Sequence, residues 1–112
     1  MPEHGLTPEQ LKIIRGVLLP YASVISRVGL FGSRAMGTMR PNSDIDLVLY
    51  GSLTEAQVDR IWTLFEESGL ALKVDVSAYS LIDYPPLKLH VDEAMQPLFE
   101  QAELLPVKQE AK

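Results

Sequence analysis

A chain of 112 residues, 46% apolar and 22% charged, has the balance of one globular core with little material left for a second substrate-binding module. Its 10 Lys plus Arg stand against 15 Asp plus Glu, and a net charge of −5 argues against nucleic acid as the main partner. The absence of cysteine excludes disulfides, thiolate zinc sites, iron–sulfur clusters and cysteine nucleophiles.

Met1-Pro2-Glu3-His4-Gly5 lacks the basic start and apolar run of a secretion signal. The longest apolar segment, residues 17–25, is broken by Pro20, so no membrane span is expected and a cytoplasmic location follows. Thr7-Pro8-Glu9-Gln10 then reads as a helix start, with Thr7 as cap, Pro8 in the first turn and Gln10 closing a capping box. Leu11, Ile14 and Leu18 recur at helical spacing, which predicts a helix to about residue 19 that Pro20 stops or kinks.

A strand is expected over residues 24–31, ending in Val28-Gly29-Leu30-Phe31. Gly32 supplies the backbone freedom for a sharp exit into Ser33-Arg34-Ala35-Met36. A helix starting there would aim unpaired N–H groups and its positive end forward, where phosphate is the natural occupant. Ser33 adds a hydroxyl, and Arg34 and Arg40 are in reach to add charge-assisted bonds. No Gly-x-x-x-x-Gly-Lys or Gly-x-Gly-x-x-Gly loop occurs, so this turn is a different solution to phosphate binding.

Ten residues, 34 to 43, separate Gly32-Ser33 from Asp44-Ile45-Asp46. Alternation along a strand points Asp44 and Asp46 to one side and Ile45, Leu47 and Leu49 to the other. Two such carboxylates raise each other's proton affinity unless a cation sits between them, so the pair is a candidate divalent-metal platform. Taken singly, the Gly-Ser pair is an ordinary turn and the acids an exposed strand face; the spacing between two strands is what sharpens the signal.

After a break at Gly51-Ser52, Ser52 and Glu55 form a second candidate capping box. Val58, Ile61, Trp62 and Phe65 follow as the apolar stripe of a helix ending at Ser68-Gly69, with Trp62 and Phe65 read as core. Residues 72–78 alternate, with Leu72, Val74, Val76 and Ala78 on one face and Lys73, Asp75 and Ser77 on the other. Asp83 is a candidate cap for a helix opening at Tyr84-Pro85-Pro86, whose stripe is Leu87, Val91 and Ala94 or Met95; Pro97 ends it. His90, on the flank of that stripe, reads as a partly exposed helix residue rather than a ligand. Leu98 and Phe99 suggest a short strand at the sheet edge. The single domain 1–112 then has a core over about 7–101, and residues 102–112 form a polar tail in which Leu104-Leu105-Pro106-Val107 is a candidate docking segment.

The run Leu30-Phe31-Gly32-Ser33-Arg34-Ala35, with Gly37 and Ser43-Asp44-Ile45-Asp46-Leu47, resembles the minimal nucleotidyltransferase (MNT) family of the DNA polymerase beta superfamily, and the ten-residue gap matches. The resemblance implies an α/β (α+β) fold, the polymerase beta-like palm, with a small mixed sheet backed by helices on one face and a polar face left open. It implies a third carboxylate on the next strand, and Asp75 is the only acid there, completing a triad if that strand lies beside the Asp44 strand; by itself it could be solvent-facing.

On this reading Asp44, Asp46 and Asp75 are the catalytic and metal residues for two Mg²⁺ ions, or Mn²⁺. Gly32, Ser33, Arg34, Arg40 and Ser43 form the nucleotide and phosphate side, and ATP is the donor. Family members pair with a small helical HEPN-domain protein, and some act as antitoxins that move AMP from ATP to a tyrosine of that partner. The alternative is a non-catalytic nucleotide-binding subunit that neutralises or regulates its partner by complex formation. Transfer to a small-molecule hydroxyl such as an antibiotic would need an acceptor domain that the chain does not show. One position departs from the pattern: Met36 stands where the family usually has arginine.

Overall fold

The computed structural model describes residues 5–37, 40 and 43–104. Helix α1 (Pro8–Leu18) begins as its sequence predicts: the Thr7 hydroxyl accepts from the Gln10 N–H at 3.1 Å, and the Gln10 side chain accepts from the Thr7 N–H at 2.9 Å. Ile14 and Leu18 are fully buried one turn apart. The α-helix ends at Leu18, next to the expected boundary, and Pro20 sits at the start of a 3-10 segment, Leu19–Val24, where proline is tolerated. Strand β1 (Ile25–Phe31) follows directly.

Helix α2 (Ser33–Met36) is a single turn, closed by Gly37 in the left-handed conformation. Strand β2 (Ile45–Gly51) leads to α3 (Glu55–Glu66), which is capped by Thr54 and Gln57 rather than by Ser52 and Glu55. The Ser52 N–H is held by the Val24 carbonyl at 2.9 Å, so the chain is still leaving the sheet there and the helix starts later. Strand β3 (Val74–Ala78) runs into a 3-10 turn, Tyr79–Leu81, and then α4 (Pro85–Ala94). Asp83 does not cap α4: the cap position is Tyr84, with no side-chain bond, and Pro85 at the first position has no N–H to satisfy. The edge strand expected around Leu98 is β4 (Gln96–Glu100), and α5 (Gln101–Leu104) closes the described chain.

The sheet order is β3-β2-β1-β4. β1 is antiparallel to β2 and β4, whereas β2 and β3 are parallel, giving the expected mixed sheet. Pro97 is tolerated because β4 is an edge. At the other edge the Trp62 indole donates to the Val76 carbonyl at 3.1 Å, covering one of the groups that β3 leaves unpaired.

Strand alternation puts Leu30, Leu47, Leu49, Val74 and Val76 on one face, where they form the main core with Ile14, Leu18, Ile61 and Phe65 from α1 and α3. The other face was expected to be open, and this is corrected in part. Phe31, Val48 and Val91 form a second cluster, flanked by Tyr50, Tyr79 and Met95, so α4 covers part of that face. Gly29 permits the close approach, since a Cβ there would lie 2.5 Å from the Met95 Cγ.

The start of the expected tail is structured. Leu104 is fully buried in the main core, and the Arg15 Nε donates to the Glu103 carbonyl at 2.6 Å. The rest of that segment, 105–112, lies outside the described residues.

Candidate active site

β1 delivers the chain to Gly32, whose backbone sits at φ 75° and ψ −154°. A side chain rarely adopts that conformation, and here it would also strike a neighbour: a Cβ on Gly32 would meet the Asp46 Oδ2. The tight turn and the first strand acid are therefore in direct apposition.

Register does the rest. Phe31 pairs with Asp46 across β1 and β2, and Asp46 pairs with Asp75 across β2 and β3. Two carboxylates from neighbouring strands thus stand side by side, with Asp44 just ahead of β2 and exposed. Burial and then the charges of Asp75 and Asp44 push the Asp46 carboxyl above the ordinary aspartate range, while His90 and Lys73 pull it down. Asp46 thus feels the charge of both other acids. Among the described residues no three or more carboxylate or imidazole side chains already close into a metal-binding cluster. The donor chemistry nevertheless fits a hard divalent cation: the candidate ligands are all carboxylates, and a cation would offset the burial and like charge that raise Asp46.

The phosphate side differs from expectation. Ser33 opens α2 and is partly buried, but one helical turn supplies only a small dipole. Arg34 does not face the open side: it is 1% exposed, and its Nη2 donates to the Ser43 carbonyl at 2.9 Å. Burial lowers its proton affinity, yet a guanidinium stays charged, so Arg34 ties α2 to the segment that carries Asp44. Ser43 is also engaged locally, its hydroxyl accepting from the Arg40 N–H at 2.7 Å and its N–H donating to the Arg40 carbonyl at 2.9 Å. Arg40 itself is exposed, and Met36 is 58% exposed on α2.

His90 is the residue that pattern reading set aside. Its ring lies edge-on to Phe31, with centroids 6.1 Å apart, and its charge acts on Asp46. No linear signal marks it, because it reaches the site from α4 through the fold. A separate cleft of about 380 Å³ opens at the far end of β3 and includes none of the three aspartates.

Residues 11–101 match the nucleotidyltransferase domain. The chain belongs to the nucleotidyltransferase domain family. This agrees with the resemblance carried by the Gly32-Ser33 turn and the Asp44-Ile45-Asp46 strand. The nucleotidyltransferase domain is similar in structure to a toxin–antitoxin complex solved with AMP-PNP, at TM-score 0.65 and 23% identity, over 80% of this chain and 73% of that one. It is also similar to a candidate nucleotidyltransferase from Sulfolobus solfataricus, at TM-score 0.52 and 20% identity, over 85% and 84%. At such identities the likeness carries the fold. No curated protein matches the chain in sequence.

Proposed function

We propose that this nucleotidyltransferase domain is a metal-dependent enzyme that transfers a nucleoside monophosphate, AMP from ATP, to a protein hydroxyl. The acceptor we favour is a tyrosine of a HEPN-type helical partner, with the chain acting as its antitoxin. The observation that carries the reading is the side-by-side register of Asp46 and Asp75, with Asp46 packed directly against Gly32 and Asp44 two residues before it. The similar fold solved with AMP-PNP in a toxin–antitoxin complex supports the donor and the pairing.

Asp44, Asp46 and Asp75 would hold the ions, and Mg²⁺ or Mn²⁺, when bound, neutralises polyphosphate charge and eases ionisation of the acceptor hydroxyl. The backbone of the Gly32-Ser33 turn and the Ser33 hydroxyl orient the terminal phosphates. Arg40, exposed beside Ser43, adds a cation there, while Arg34 holds the loop from within. The acceptor oxygen then attacks the α-phosphorus, the bond to the bridging β-phosphate oxygen breaks, and pyrophosphate departs. The acceptor proton passes to a carboxylate oxygen of Asp75, which is only partly buried.

Incubating the chain with ATP, Mg²⁺ and the protein encoded beside it should add the mass of one AMP to that protein. Asp44→Asn and Asp46→Asn should each reduce transfer by at least about 100-fold, as loss of a metal ligand exceeds loss of its outer support. Transfer at the original rate would remove these residues from the reaction.

A second reading, neutralisation by complex formation alone, draws on the phosphate side. Met36 stands in place of arginine, and Arg34 is turned inward, so the turn presents fewer cations than the family pattern. Partner inhibition that survives both asparagine substitutions would select it.

A further inference from the structure

The transfer chemistry leaves unused the cleft of about 380 Å³ at the far end of β3. Val58 of α3, Ala78 of β3 and Leu87 of α4 give it an apolar floor. Glu55, Asp59 and Asp83 stand around it, and no lysine or arginine joins them in the lining. All three acids are exposed, and none takes part in an ion pair among the described residues. Such a surface attracts a cation and rejects an anion.

The apolar surface also continues outward. Tyr84 is 64% exposed and Leu81 is 38% exposed, and both line the mouth. A free small cation would leave these side chains wet, whereas a peptide segment covers the floor and the mouth together. We infer that this cleft docks a cationic, apolar-anchored segment of a partner protein, with an aliphatic or aromatic side chain on the floor and Lys or Arg against Glu55, Asp59 and Asp83.

Ser77 belongs to the cleft and shares the strand face of Asp75 two residues away, a separation of about 7 Å. A segment seated there runs beside the acid site. That this brings an acceptor hydroxyl to Asp75 rests on the transferase reading; the docking itself does not.

The test is an amide NMR titration of the full chain with a synthetic Leu/Arg amphipathic peptide of about 16 residues, long enough to form a helix, and a Leu/Glu counterpart. The Leu/Arg peptide should give saturable shifts at Val58, Ala78 and Leu87, and the Leu/Glu peptide none. The double variant Asp59→Lys/Asp83→Lys and the single variant Tyr84→Ala should each weaken binding by about tenfold, with the dispersed spectra confirming that both are folded. Asp46→Asn should bind the peptide unchanged, which separates docking from transfer. Shifts centred on Asp44 and Asp75 instead, equal binding of both peptides, or indifference to the cleft variants would each overturn the inference. Self-association of the chain that Tyr84→Ala abolishes would overturn it in favour of a second copy as the occupant.

Discussion

Gly32 and Asp46 constrain each other. The left-handed backbone at Gly32 and the carboxylate packed where a Cβ would go make Gly32→Ala doubly unfavourable. The expected cost is about 1–3 kcal/mol in urea denaturation, accompanied by loss of transfer as Asp46 is displaced. An alanine variant of unchanged stability and rate would mean that the turn tolerates a shifted carboxylate. Asp46 itself carries a pH signature. Burial and the charges of Asp75 and Asp44 raise its proton affinity, so the native state holds that proton more tightly than the unfolded chain. Its contribution to stability is full below the ordinary aspartate range and is lost as pH rises through the raised value. Asp46→Asn has no such loss: its Tm should exceed that of the wild type at pH 7, and the gap should close below about pH 4. Equal melting at both pH values would show that Asp46 holds its proton no more tightly in the folded chain than in the unfolded one. Arg34 carries the lesson of this scale, since nothing in its type separates a guanidinium that faces phosphate from one that holds Ser43 from within.

Among the elements, caps decided boundaries. Thr7 and Gln10 have both partners of a capping box at three-residue spacing, and α1 starts there. Two candidates compete before α3, Ser52 with Glu55 and Thr54 with Gln57, and the structure takes the second because Ser52 is still paired to Val24. Thr54→Ala should therefore cost about 1 kcal/mol in thermal or chemical denaturation, and Ser52→Ala less than about 0.5 kcal/mol. A reversed order would return the cap to Ser52. Alternation was equally readable: Val74, Val76 and Ala78 face the core from β3, and Asp75 and Ser77 do not. The length of α2 was not, because Gly37 closes it after one turn and a glycine near a helix start reads equally well as part of a longer helix.

Across the whole molecule the sheet order governs what meets what. Leu104 is buried in the main core, and α5, which carries it, packs on β4, β1 and the 3-10 segment after α1, although the residues around it are polar enough to read as a tail. Leu104→Ala should cost about 2–5 kcal/mol, read as a lowered denaturation midpoint. A variant as stable as the parent would return the boundary to residue 101. His90 reaches Phe31, and hence the neighbourhood of Asp46, only because α4 folds back over the second sheet face. By itself the sequence determined the helix starts at Thr7, the alternating faces of β2 and β3, and a glycine turn followed at a fixed interval by two acids, because capping and alternation act between residues a few positions apart. Tertiary structure alone decided that β3 lies parallel to β2 with Asp75 opposite Asp46, that α4 covers part of the second face, and that Arg34 turns inward. Those outcomes depend on burial and register between segments far apart in the chain, where the free energy belongs to the packed whole and not to any local run of residues.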